Sequence, residues 1–408
     1  EDIMKKFNKV LSVVVASAMV MAMAGCGNTD NGSAATGTNA ATESAAADNG
    51  AASGSVFKIG GIGPTTGGAA VYGLAVQHGA EIAVEEINAA GGINGYQVEF
   101  KFQDDEADAE KSVNAYNALK DWGAQVLDGS TTSGACIAVT DKTKEDNMFQ
   151  ITPSGSAVEC VQYDNNFRVC FSNPNQGLAS AQYIGENGLA EKIAVIYDSS
   201  DVYSSGIYEK FVKEAENQPF EVVAAEAFTA DNKTDFSVQL QKAKDAGADM
   251  VFLPIYYQES ALILTQAAAM GYAPKWFSCD GMDGILGGVD NFDVSLTEGV
   301  MLLTPFAADA TDDLTQSFVT KYKEKYGETP NQFAADSYDA IYVIKAAIEK
   351  SGVTPDMSVS DICDGMKAAM TEITVDGLTG NGMTWTADGE ANKAPKAVVI
   401  ENGAYKAM

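Results

Sequence analysis

The sequence predicts an α/β protein of doubly wound parallel sheets, large enough for two lobes. Three observations carry this. Short apolar runs of strand character alternate with longer stretches of helical period. The connections between them are short. The chain from Val56 to Met408 is 353 residues, enough for two domains. Alternating β and α elements with short connections set strands parallel and put helices on both faces of each sheet.

The elements follow in order. Val56–Ile62 reads as the first strand. A helix then carries Ala80, Ala83, Val84 and Ile87 at helical spacing and stops at Gly91-Gly92. Val98, Phe100 and Phe102 alternate as a second strand, and a helix runs from about Ala109 to Trp122. Ala124–Leu127 is a short buried strand, and a helix after Ser133 leads to the strand Met148–Ile151. The pattern resumes with a strand over 192–197, a helix over 203–216, a strand over 220–223, a helix through Leu240, and strands at 250–255 and 275–278. Gly60-Gly61-Ile62-Gly63 lacks the spacing of a dinucleotide fingerprint, and Pro64 follows at once; these glycines instead suit close backbone packing.

Composition excludes several functions. A net charge of −30 disfavours nucleic acid, which selects basic surfaces. There is one His, His78, and one Arg, Arg168. A single His, on what reads as a surface helix, disfavours Ser-His-Asp and Cys-His catalysis, and the chain has no Cys-x-x-Cys pair for zinc. No catalytic residue, cofactor or metal is therefore expected. Cys160 and Cys170 bracket Asp164-Asn165-Asn166, a turn signal. Two readings stand: a hairpin-closing disulfide, or small buried hydrophobes like Cys136, Cys279 and Cys363.

In doubly wound sheets ligands bind beyond the carboxyl ends of the strands. Two loops there are rich in hydroxyls and free backbone N–H groups: Asp128–Gly134, which opens a helix, and Thr152–Ala157. Together the two loops suit a carboxylate, with a helix N-terminus behind the first. In the second half one strand ends in Tyr256-Tyr257 and the next in Cys279-Asp280-Gly281. Asp280 at a strand end facing a cleft suits an ammonium group.

The N-terminus reads as an export signal. Lys5, Lys6 and Lys9 precede an apolar run over Val10–Ala24, too short for a comfortable membrane span. The run closes on Met23-Ala24-Gly25-Cys26, which resembles a bacterial lipobox and implies a signal peptide over 1–25 with lipid on Cys26. Residues 26–55 are almost wholly small and polar, the composition of a disordered tether.

The chain from Val56 onward resembles the type I periplasmic binding proteins of the leucine/isoleucine/valine class. The resemblance rests on Gly63–Gly67 with Tyr72, Ala89–Gly95, Asp104-Asp105, Thr132–Gly134, Ile151–Pro153, Phe167-Arg168, Gln176-Gly177 and Ala335–Ala340. It implies the type I fold, two lobes joined by a three-crossing hinge near 171–174, 303–306 and 380–391. The lobes would be 56–172 with 305–388, and 173–304 with 389–408. It implies that Ser133, Ser154, Gly155 and Ser156 hold an amino acid's carboxylate end, and that Tyr256 and Asp280 hold its ammonium. It also implies that Tyr72, Tyr203 and Phe333 wall the pocket. The implied protein is a monomeric substrate-binding lipoprotein on the outer face of the cytoplasmic membrane, delivering a small amino acid, branched-chain favoured, to the permease and ATPase of an ABC importer. The chain departs from the best-known members in having Asp280 where they have Glu and Gly155-Ser156 where many have Ala-Thr. Ala107 and Thr132 stand where Gram-negative members have a disulfide. Two further readings are a ligand-sensing ectodomain for an amide or other small polar solute, and a serine amidase or esterase; the latter lacks a G-x-S-x-G motif.

Overall fold

A computed structural model describes residues 54–408. Cys26, the signal segment and nearly all of the tether lie outside the described residues.

The first sheet contains β1 (Phe57–Gly63), β2 (Val98–Asp104), β3 (Val126–Asp128), β4 (Phe149–Thr152) and β5 (Asn166–Arg168), in the spatial order β2-β1-β3-β4-β5. Every pairing is parallel. The inner strands β3 and β4 are buried at every residue, as strands covered by helices on both faces must be. The helices between them are α1 (Ala70–Ala89), α2 (Ala109–Trp122) and α3 (Ser133–Asp146). α1 ends where Gly91 and Gly92 adopt positive φ; a Cβ on Gly92 would lie 2.0 Å from Tyr96 O, so only glycine makes this turn.

The second sheet is built from β6 (Lys192–Asp198), β7 (Glu221–Phe228), β8 (Met250–Leu253), β9 (Lys275–Ser278), β10 (Met301–Thr304), β11 (Lys396–Glu401) and β12 (Ala404–Ala407). Their order is β12-β11-β10-β9-β8-β6-β7. β6 to β10 are parallel, and the terminal hairpin β11–β12 adds antiparallel to the β10 edge. The helices α4 (Asn173–Glu186), α5 (Val202–Ala215), α6 (Ser237–Asp245) and α7 (Tyr257–Ala269) belong to this half.

After β10 the chain returns to the first sheet as α8 (Asp313–Tyr326), α9 (Gln332–Ser351) and α10 (Val359–Met370). Ser337 of α9 donates to Asp128 Oδ2 at 2.8 Å, and Tyr338 and Tyr342 donate to Glu86 of α1. Residues 389 and 390 still bond Arg168: its N–H donates to Gly389 O at 3.0 Å, and its guanidinium pairs with Glu390 at 3.3 Å.

Of the two readings of Cys160 and Cys170, that of small buried residues holds: both are free and buried, as are the other three described cysteines. The turn at 164–166 leads into β5, which pairs parallel with β4 instead of folding into a hairpin, so no hairpin exists for a disulfide to close. His78 is partly exposed on α1, its ring stacked on Tyr326 with ring centroids 3.7 Å apart. The glycines of β1 act as expected: a Cβ on Gly61 would meet the Phe102 ring at 2.4 Å.

Candidate functional site

Strand order reverses between β1 and β3 in the first sheet and between β6 and β8 in the second. Such switch points open a crevice at the carboxyl ends of the strands. Both crevices face one cleft of about 250 Å³, part of it open to solvent.

The first wall is built on the N-terminus of α3. Thr132 is the N-cap, and its hydroxyl is buried without a partner. Ser133 Oγ accepts from the N–H groups of Ser156 and Ala157, both at 3.1 Å, and lies 3.5 Å from Ser156 Oγ. Ser154 lines the cleft with its hydroxyl turned onto Thr131 O at 2.5 Å. The loop behind it is held by Arg168, which is fully buried and donates to Gly155 O and Ala157 O at 3.1 and 2.9 Å. A helix N-terminus, two hydroxyls and no acid in the first turn make this wall an anion acceptor.

The opposite wall carries one acid. Asp280 follows β9 and is 5 % exposed. Tyr203, from the start of α5, donates to its Oδ1 at 2.6 Å, and Gln176 of α4 donates to Oδ2 at 3.0 Å. Burial pushes the carboxyl up to about 6 against these bonds, which hold it down. Both partners are neutral, so the carboxylate has hydrogen bonds but no counter-charge. Gly281 must be glycine, because a Cβ there would lie 2.6 Å from Tyr203 Oη and 2.8 Å from Ile255 O.

Aromatic rings close the space between. Tyr203 and Tyr256 stack at 5.1 Å, Tyr72 meets Tyr256 edge-on at 5.4 Å, and Tyr72 packs on Phe333 at 4.5 Å. Tyr72 also ties the halves together, donating to Gly281 O and accepting from Tyr257 N–H at 3.2 Å. Gln332 of α9 makes a second tie, donating to Asp283 and to Asp280 O at 3.0 and 3.3 Å.

The structure brings Tyr72, Ser133, Ser154, Tyr203, Tyr256, Asp280 and Phe333 around one cleft. Gly155 and Ser156 lie one layer behind. The Gly155 N–H is taken by Thr152 Oγ1 at 2.7 Å and that of Ser156 by Ser133. Sequence reasoning did not single out Thr131, Thr132 or Gly281 as lining, nor the supports Arg168, Gln176 and Gln332. A lone Arg in an acidic chain, next to Phe167 at a strand end, was the available signal for Arg168. Among the described residues no group of three or more His, Cys, Asp or Glu is placed to hold a metal ion.

Two parallel-sheet lobes with a small, charge-polarised cleft between their strand ends define a solute-binding protein. The comparisons with known proteins agree. The periplasmic binding protein family matches residues 56–404, and the chain belongs to that family, in its type I branched-chain amino acid class, whose members bind solutes and are not enzymes. It is 31 % identical over 300 residues to the Leu/Ile/Val-binding protein homolog 3 of Brucella melitensis, covering 73 % of this chain and 80 % of that one. It is 30 % identical over 303 residues to the leucine-, isoleucine-, valine-, threonine- and alanine-binding protein of Pseudomonas aeruginosa, covering 72 % and 79 %. The crystal structure of the branched-chain amino acid transporter substrate binding protein LivJ of Streptococcus pneumoniae, in complex with isoleucine, is similar with a TM-score of 0.77 and 28 % identity over 86 % of this chain and 99 % of that one.

Proposed function

We propose that the cleft binds one small α-amino acid, branched-chain type favoured, and that the protein hands it to the permease of an ABC importer. The buried, uncompensated carboxylate of Asp280 is the observation that carries this reading. It asks for one positive charge, while the α3 N-terminus with Ser133 and Thr132 asks for one negative charge. A zwitterion supplies both at once. The names of the relatives above point to the same ligand class. In this reading Tyr256 joins Asp280 at the ammonium, and Ser154, Gly155 and Ser156 shape the carboxylate end with Ser133. Tyr72, Tyr203 and Phe333 enclose the side chain. Burying a branched aliphatic side chain there contributes about 1.5–3 kcal/mol.

The lobes are proposed as 56–172 with 305–388 and 173–304 with 389–408, closing on a hinge of three crossings. A ligand shifts that equilibrium only by contacting both lobes, which the two walls allow. The chain is proposed to act as a monomer on the outer face of the cytoplasmic membrane. Lipidated Cys26 would anchor it and the small-residue segment after it would tether it. The signal-like N-terminus supports this.

Thermal-shift screening against the twenty amino acids and simple amides, followed by calorimetry on the hits, tests the function. One or a few amino acids should raise the melting temperature with 1:1 stoichiometry, and their amides, which lack the carboxylate, should not. A response to amides or to simple carboxylic acids alone would overturn the zwitterion reading.

A further inference from the structure

Two thiols lie directly behind the wall that Ser133 opens. Cys136 stands one turn into α3, its N–H donating to Thr132 O at 2.8 Å, and Cys160 belongs to the short helical turn Val158–Val161. Both are fully buried and form one small apolar cluster with Ala157. The two thiols hydrogen-bond each other. Cys160 Sγ also donates to Ser133 O at 3.7 Å, and a Cβ on Gly155 would lie 3.1 Å from Cys136 Sγ. The pair therefore touches both parts of the wall: the residue that opens α3, and the loop whose N–H groups Ser133 Oγ accepts.

The surroundings suit oxidation. Adjacent thiols are what a disulfide requires. The hydrogen bond with Cys160, with the Arg168 guanidinium nearby, holds the Cys136 thiol below its usual range against burial, whereas burial pushes the Cys160 thiol up. Cys136 is thus the readier thiolate, and Cys160 is placed to resolve what forms on it. The cover over the pair comes from the other half of the molecule: Val202, the first residue of α5, packs against the cluster. Opening of the cleft lifts Val202 away and admits a small oxidant.

We propose that Cys136 and Cys160 are a reversible redox site, joined into a disulfide by a small peroxide when the cleft is open, and that the bond weakens the ligand wall. The Cys136 thiolate takes one oxygen from hydrogen peroxide, giving a sulfenic acid and releasing hydroxide, which takes up the proton that Cys136 lost. The Cys160 thiol then attacks that sulfur, the S–S bond forms, and water leaves. Two thiols and one peroxide thus give one disulfide and two waters. Forming the bond draws the Val158–Val161 turn towards α3 and displaces the Ser156 and Ala157 N–H groups from Ser133. The disulfide does not depend on which solute the cleft holds, but its access and its effect on affinity rest on the opening cleft and the amino-acid reading proposed above.

The test is to treat the full chain with hydrogen peroxide, block the remaining thiols, digest without reductant and map the peptides by mass spectrometry. The peptides holding Cys136 and Cys160 should be joined, two hydrogens lighter than their sum, and a phosphine reductant should separate them. Val202→Ala should form the same crosslink severalfold faster. Calorimetry with leucine should show binding to the oxidised chain weakened fewfold to tenfold, the scale of one or two disturbed hydrogen bonds, and restored by the phosphine. Cys160→Ser should bind leucine equally before and after peroxide; if it fails to fold, the wild-type and Val202→Ala chains carry the test alone. The proposal is overturned if neither of those chains yields the Cys136–Cys160 crosslink, if Val202→Ala does not speed it, or if the crosslinked chain binds leucine as tightly as the reduced one. A reduced chain that binds no amino acid would sink the reading of the cleft instead, and the crosslink with its dependence on Val202 would still decide the redox site.

Discussion

Burial raises the Asp280 carboxyl to about 6, and this sets how affinity should respond to pH. An ammonium partner lowers that pKa on binding, so the free protein holds more protons than the complex. Affinity is then full above about pH 6 and falls as pH drops through it, by up to about tenfold per unit. The sign for folding is the opposite. A carboxyl whose folded pKa lies above its unfolded value costs stability at neutral pH, and that cost fades as pH falls towards 6 and below. Asp280→Ala should therefore abolish most amino-acid binding, at least a hundredfold by calorimetry, without lowering the melting temperature of the free protein. Binding that survives this change, or an affinity flat between pH 7 and 4.5, would contradict the ammonium assignment. Gln176→Ala removes one of the two side-chain bonds that hold Asp280 down. It should move the midpoint of the affinity–pH profile upward, which a purely structural loss would not do.

At the scale of elements, the site depends on where strands stop and helices start. Ser133 opens α3, Tyr203 stands in the first turn of α5, and Tyr256 caps α7. Each is placed by a helix beginning just beyond a strand end, which is where alternating β and α elements put their loops. Gly281 is the tightest point. Gly281→Ala drives a methyl against Tyr203 Oη and the Ile255 carbonyl, so either the ring or the strand end must shift. The expected result is at least a tenfold loss of amino-acid affinity with a modest fall in melting temperature; wild-type affinity would show that Tyr203 does not position Asp280. These element positions were legible in the sequence because apolar period and turn residues are local. The boundaries of β9 and α2 fall as expected. The strand at 220–223 extends to Phe228 because pairing with β6 orders Ala224–Phe228, whose alanines and Glu226 have weak strand propensity of their own.

At the scale of the whole molecule, the proposed function requires two lobes that open and close. Tyr72 spans them, bonding Gly281 O and Tyr257 N–H through one hydroxyl. Tyr72→Phe keeps the ring but loses both bonds. It should shift the free protein towards the open form, seen as a larger radius of gyration by small-angle scattering, and weaken binding a fewfold. An unchanged radius would mean that the hydroxyl does not bias closure. Cys26→Ser tests the remaining part of the assembly: the protein should leave the membrane fraction while its ligand affinity stays the same.

Local periodicity by itself determined the α/β class, the order of most elements through β9 though not β5, α4 or α7, and the strand-end loops where Ser133, Ser154, Tyr256 and Asp280 stand. Those signals depend on neighbours a few residues apart. Tertiary structure alone decided what the buried polar groups do. Arg168 braces the 155–157 loop, Gln176 reaches Asp280 across 104 positions, and Gln332 ties α9 to the loop after β9. It also decided that Cys160 and Cys170 stay unbridged as buried thiols and that Gly155 and Ser156 stand behind Ser133 instead of lining the cleft. A hydrogen bond between residues far apart in sequence leaves no period along the chain. It exists only once the sheets have fixed the direction in which each loop faces.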